Sequence, residues 1–259
     1  MAGPALFAAI AFALLVTRPA AGAEELRLAQ LPSSEPPVPD AAEAFVDEFE
    51  GDGLGEHWRV LNADPDSYIV EDGALTIIAK AVGGLTNADI PNIFQIDRPL
   101  PDGDWEVTLT FSAALQTGRD QIQLGLYDDA GNMIVSEFRG DSSPCCGQDG
   151  FSARTSKWAG GEQTYFTEPV LLGGYSAIAE TIGSEIVLKL IKSGRAYRTA
   201  ARVAGELDDA GGPRWHETNL VSSLRPPERL VLNASQWEAT DGENLYTIES
   251  IRIEPAGRE

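Results

Sequence analysis

Trp105-Glu106-Val107-Thr108-Leu109-Thr110-Phe111 alternates apolar and polar residues without a fault. Trp105, Val107, Leu109 and Phe111 face one way and Glu106, Thr108 and Thr110 the other, the pattern of a strand with one face in a core. Gln121–Tyr127 repeats it, with Ile122, Leu124 and Leu126 inward, and runs into the turn residues Asp128-Asp129-Ala130-Gly131-Asn132 before the β-prone Met133–Phe138. That is a β-hairpin. Glu185–Lys192, the turn Ser193-Gly194-Arg195 and Ala196–Val203 make a second one. Further strands are expected at Phe45–Phe49, Tyr68–Val70, Ala74–Ala79, Ile93–Ile96, Leu230–Ala234 and Tyr246–Ile253. No stretch keeps a helical apolar stripe for three turns. Many short strands with regular turns predict an all-β fold of the sandwich or barrel kind.

The start of the chain reads as an export signal. Ala5–Val16 is uncharged and apolar, and Ala21-Gly22-Ala23 fits the small-x-small cleavage rule, so Met1–Ala23 is expected to be removed. The apolar run is shorter than the ~20 residues a membrane helix needs. Residues 24–44 carry Pro32, Pro36, Pro37 and Pro39 and no sustained apolar period, the composition of a linker. A single domain over 45–257 then follows, long enough to bury a core without staples. With 40 acidic against 19 basic residues the formal charge is −21. Nucleic acid and anionic membranes are therefore poor partners, since their phosphates would be repelled. The protein is expected in the periplasm or outside the cell.

Between Arg139 and Gly183 the rhythm breaks into a Gly-, Ser- and aromatic-rich excursion holding Trp158, Tyr165, Phe166 and Tyr175. A segment this long reads as a functional or a partly disordered loop. It also carries the two cysteines, Cys145 and Cys146, which are adjacent. In an oxidising compartment they form either a vicinal disulfide, flanked by Pro144 and Gly147, or bridges between two chains; the remaining reading is two thiols.

The order of motifs resembles a known superfamily. Phe45-Val46-Asp47-Glu48-Phe49, Leu54…Trp58, Asp72-Gly73-Ala74-Leu75, Asn92-Ile93-Phe94, Gly103-Asp104-Trp105-Glu106-Val107, Gln123–Asp129, Leu188–Lys192…Tyr197-Arg198 and Tyr246–Ile253 follow one another as in concanavalin A-like lectins and glucanases. The closest resemblance is to the jelly-roll modules at the C-termini of family 43 β-xylosidases. It implies a two-sheet antiparallel jelly-roll sandwich in which Phe45–Phe49 pairs with Tyr246–Ile253 and the outer face of one curved sheet forms a shallow sugar-binding groove. The excursion at 140–183 is a departure from that pattern.

By alternation Gln121, Gln123 and Tyr127 face away from the core, with Glu137 and Arg139 beside them, and Lys189, Arg198 and Arg202 join this polar strip if both hairpins share a sheet. The strip reads as a binding groove or as an ordinary solvated face. Of the five tryptophans, Trp58 and Trp105 sit at core positions and Trp215 reads as packing. Trp158 lies in the polar excursion with Tyr165 near it, and Trp237 is intermediate. The ligand-binding candidates are thus Gln121, Gln123, Tyr127, Glu137, Arg139, Trp158, Tyr165 and Trp237, with a polysaccharide or oligosaccharide as the partner. No catalytic residue is assigned. The Glu-x-Asp-x-x-Glu strand of related glucanases is missing, because Glu249–Glu254 has Ile251 and Arg252 where an acid is needed. The two histidines, His57 and His216, lie in no hydrolase motif. No cofactor is expected; Asp47 and Asp241 offer oxygens for a Ca²⁺ ion, without the spacing of a calcium loop. Three functions fit: a non-catalytic carbohydrate-binding domain, a glycoside hydrolase or lyase with an unrecognised acid pair including Glu137, and an envelope assembly protein.

Overall fold

The computed structural model describes residues 44–114, 119–141, 150–166, 170–172, 183–237 and 243–256. The expected leader Met1–Ala23, all of the expected linker but Ala44, Cys145, Cys146 and Asp241 lie outside these residues.

Seventeen strands among the described residues, numbered along the chain, form two sheets. In the first, β6 (Trp105–Ala114) is flanked by β12 (Ile186–Ser193) and β17 (Asn244–Pro255). Beyond β12 lies β13 (Ala196–Val203), edged by the short β14 (His216–Glu217) and β15 (Val221–Ser222). The other side of β17 takes β1 (Phe45–Asp47) and β4 (Ala74–Ala81), with β3 (Tyr68–Glu71) outermost. Phe45 opposes Ile253, so the first and last strands are antiparallel neighbours, as the resemblance implies.

The second sheet runs β2 (Trp58–Leu61), β5 (Ile93–Ile96), β16 (Arg229–Gln236), β7 (Arg119–Asp129), β8 (Asn132–Asp141) and β9 (Gly150–Ala159). The edge of β9 carries β10 (Glu162–Phe166) and β11 (Val170–Leu172). The end of β4 pairs in parallel with β16, Ser235 opposite Lys80, which ties the two sheets together.

The apolar rows of both sheets meet in one core. Phe111 of β6 packs edge-on against Phe138 of β8 across the sheet interface, with centroids 5.6 Å apart. Both rings are fully buried, and burying each contributes about 1.5–3 kcal/mol. On one side the sheets come close enough for side chains to bond across the gap. The Ser136 hydroxyl donates to the Lys189 carbonyl (3.2 Å), and Thr199 bonds Ser136 (2.7 Å) and Thr155 (2.8 Å).

Two expectations change. The two hairpins lie in different sheets, so Lys189, Arg198 and Arg202 do not extend the strip begun by Gln121. They pair instead on the first sheet, with Glu106 (2.7 Å), Glu217 (2.7 Å) and Glu185 (2.9 Å). The 140–183 excursion is not one long loop either. It contains β9, a full ten-residue strand, followed by a tight turn into β10. Asp47, considered as a calcium ligand, serves a strand end: its carboxylate accepts from Phe49 N (2.8 Å) and Trp58 Nε1 (2.6 Å) and lies 2.6 Å from His57 Nε2. Burial works against its charge, but the bonds from Trp58, Phe49 and His57 outweigh it and hold its pKa below the ordinary value.

Candidate functional site

The face of the second sheet turned away from the core carries four transverse rows, fixed by register. They are Ser235–Gln121–Arg139–Ser152, Asn233–Gln123–Glu137–Arg154, Val231–Gly125–Val135–Ser156 and Arg229–Tyr127–Met133–Trp158. The candidate residues Gln121, Gln123, Tyr127, Glu137 and Arg139 do share this face, but most of it does not meet solvent. The connection from β4 to β5, residues 82–92, folds back over it. Its Leu85 and Ile90 join Tyr127, Met133, Val135 and Val231 in a second apolar cluster, separate from the main core. Leu85 N donates to Gln123 Oε1 (2.8 Å). Gly84 rests on the amides beneath: a Cβ there would lie 2.7 Å from Gln123 Oε1 and closer still to Gln121.

Under this cover Gln121, Gln123, Tyr127 and Glu137 are all buried. They therefore do not form the open groove the alternation suggested. Period two fixes which face a residue takes, but says nothing about a distant loop lying on that face. Glu137 is engaged on both oxygens, by Gln123 Nε2 (3.2 Å) and by Arg154 Nε (2.6 Å). Arg139, one row further on, is half-buried. Trp237 is 45% exposed and lies beside Gly83. It follows the end of β16 opposite Arg229, eight residues and roughly 26 Å along the strand.

The open concavity is at the Arg229 end, where three turns converge. The β7–β8 turn is held by Asp129, whose carboxylate accepts from Gly131 N (2.8 Å) and Asn132 Nδ2 (2.9 Å). The β9–β10 turn is tied to it by Gly160 N to Asn132 Oδ1 (3.1 Å) and Gly161 N to Gly131 O (3.1 Å). Both glycines have positive φ, 63° and 84°, which the tight turn requires. The third segment, 222–228, is stiffened by Pro226-Pro227. Its ends are pinned by Lys157 Nζ to Ser222 O (3.1 Å), Ser223 N to Arg195 O (2.9 Å) and Glu228 N to Asp128 Oδ1 (3.4 Å).

These anchors frame two adjoining hollows that share Lys157, Ala159, Ser223 and Arg225. One is an open cleft of about 690 Å³ that also meets Arg195 and Leu224. The other, about 240 Å³, reaches Asp128, Asn132 and Trp158. Trp158 is half-buried: it packs on the second apolar cluster and is among the residues that line the smaller hollow. It sits on β9 rather than in a loop. Tyr165, 45% exposed on β10, lies directly opposite Lys157 in register. Of the candidates, Trp158 lines the smaller hollow, Tyr165 lies on the neighbouring strand, Tyr127 is buried in the same row as Trp158, and the others lie further along or beyond the sheet. Lys157, Arg195, Arg225 and Asn132 escaped sequence reasoning. Each sits in or beside a turn, and only the meeting of three distant turns makes them neighbours. Among the described residues no group of three or more His, Cys, Asp or Glu side chains is placed to hold a metal ion.

No family model and no curated protein matches the sequence. Solved structures do match the fold. A GH43 protein from Bacillus licheniformis superposes with a TM-score of 0.62 at 12% identity, over 81% of this chain and 39% of that one. The chain thus spans about two fifths of that enzyme's length. The CBM2 module of an evolved Dit from a Lactobacillus casei phage gives 0.54 at 11% identity, over 81% and 94%. A legume lectin-like domain from Entamoeba histolytica gives 0.54 at 11%, over 78% and 91%. The fold is that of the concanavalin A-like jelly roll.

Proposed function

We propose that this chain is an exported, non-catalytic carbohydrate-binding domain, periplasmic or secreted, whose ligand lies in the cleft bounded by Trp158, Lys157 and Arg225. The observation that carries this reading is Trp158, an aromatic residue half-buried against an apolar cluster at a hollow also lined by Asn132, Lys157 and Arg225. A sugar ring has apolar C–H faces and hydroxyls around its edge. It is matched by one aromatic plane with hydrogen-bonding groups beside it. The lectin-like domain and the CBM2 module with the same fold support the reading by analogy of architecture.

The same geometry speaks against hydrolysis on the second sheet. Glu137 is locked by Arg154 and Gln123.

Trp158→Ala is expected to weaken affinity for a bound oligosaccharide at least about tenfold, the loss typical of a central aromatic contact. Trp237→Ala, at the far end of the sheet, should leave it unchanged. Calorimetry on both variants, with ligands chosen by a glycan array, checks this. No reducing ends should appear from xylans, glucans or arabinans. An unaltered affinity in Trp158→Ala would remove the site, and hydrolysis would remove the non-catalytic reading.

A further inference from the structure

The cleft is cationic in a protein that is otherwise strongly acidic. Lys157, Arg195 and Arg225 all line it, and none has a carboxylate partner among the described residues. Elsewhere Arg154, Lys189, Arg198 and Arg202 each hold a glutamate within 2.9 Å. Two of the acids in the flanking turns are engaged. Asp128 accepts from Glu228 N and sits 4.0 Å from Arg229 Nε. Asp104 holds the turn beneath Arg195 by accepting from Gly194 N (2.6 Å). With a formal charge of −21, a random surface cleft should attract acids to its cations. Three cations left without acids around one concavity are what an anionic ligand would complete.

The rest of the lining says what kind of anion. Leu224 is 80% exposed at the rim, and Ala159 and Trp158 continue the apolar surface. A bare inorganic anion has no use for these, whereas a sugar ring bearing an acid does. Arg195 and Arg225 present planar forks that fit carboxylate or sulfate oxygens two at a time. Lys157 spends one of its three donors on Ser222 O and keeps two.

We propose that the cleft takes an acidic polysaccharide, a chain whose rings carry carboxylate or sulfate groups, with Arg195, Arg225 and Lys157 binding the acid groups and Trp158 the ring face. This rests on the carbohydrate-binding reading above. The long-range field of the protein repels such a ligand, so its binding relies on these short contacts.

Calorimetry with four hexasaccharides and one peptide tests it: oligogalacturonate, a sulfated galactan oligomer, neutral galactohexaose, neutral xylohexaose and hexaglutamate. At least one acidic oligomer should bind ten times or more tighter than either neutral one, and which of the two does so tells carboxylate from sulfate. Arg195→Gln/Arg225→Gln should lose that margin while melting at the same temperature, since neither side chain is buried or ion-paired. Neutral oligomers binding as tightly as the acidic ones would overturn the acidic ligand and leave the carbohydrate-binding domain standing. If no sugar binds, both readings fall. Acidic binding untouched in the double variant moves the site elsewhere and ends the inference, as does hexaglutamate binding equally well, which would show that charge alone is read.

Discussion

Arg154→Met is expected to destabilise the domain by about 3–5 kcal/mol, the cost of stripping a buried carboxylate of its partner. Arg154 Nε lies 2.6 Å from Glu137 Oε2, and the Glu137 side chain is 4% exposed. Among the described residues the other donor to that carboxylate is Gln123 Nε2, at 3.2 Å. With the guanidinium gone, residues 82–92 and the second apolar cluster restrict the access of water to the carboxylate. Glu137→Gln/Arg154→Met should recover much of the loss, since a neutral amide is far cheaper to bury than a lone charge. Urea denaturation of the single and double variants measures both. A single variant within about 1 kcal/mol of the parent would mean that this row is open to solvent, and the covered face would have to be redrawn.

The second large effect is expected at Asp120. Its alternation places it on the core side of β7, at the end of the sheet, where it is 1% exposed. Burial raises its pKa from 3.8 to about 7, although a hydrogen bond from Asn244 pulls the other way. Nearby, the buried Tyr246 hydroxyl and Gln236 amide nitrogen have no hydrogen-bond partner among the described residues, and burial, with the Asp120 charge adding to it, pushes the Tyr246 phenol well above its usual range.

A carboxyl with a raised pKa in the folded state binds its proton more tightly there than in the unfolded chain. Its contribution is therefore fully favourable below pH 3.8, is lost as pH climbs from there through about 7, and leaves the folded state penalised above that. Asp120→Asn removes the charge and keeps an oxygen to accept from Asn244. It should stabilise the protein at pH 8 by up to about 4 kcal/mol and do little at pH 4. Melting temperatures of parent and variant across this range decide it. A variant gaining as much at pH 4 as at pH 8, or losing stability at pH 8, contradicts a buried charge at this position.

Strand geometry was legible wherever one face of a strand is uniformly apolar. Trp105–Phe111 is a strand at the expected position because its inward row is large, apolar and uninterrupted. β9 escaped notice for the opposite reason. Its inward row is Phe151, Ala153, Thr155 and Lys157, and its outward row Ser152, Arg154, Ser156 and Trp158. Thr155 belongs in the interior only because Thr199 and Thr218 supply hydroxyl partners 2.8 Å away. Such partners lie on distant strands, so the local period carries no contrast.

The same limit governed the site. Alternation correctly sets Gln121, Gln123 and Glu137 on one face, yet it holds no information about Leu85 and Ile90, two isolated apolar residues in a turn-rich segment that cover that face. Trp158 was visible as an aromatic residue without a core period. Its cationic neighbours Arg195 and Arg225 were not, because each is an ordinary turn residue until three turns meet.

The account stands on where a sugar touches the protein. Titrating ¹⁵N-labelled protein with the tightest-binding oligosaccharide and following amide, indole and guanidinium resonances measures this residue by residue. The account predicts that shifts concentrate on the Trp158 indole, Asn132, Ser222–Arg225 and the Arg195 side chain. Shifts centred instead on the Gln121 and Gln123 side-chain amides and on Trp237 would contradict it, placing the ligand on the sheet face that residues 82–92 occupy.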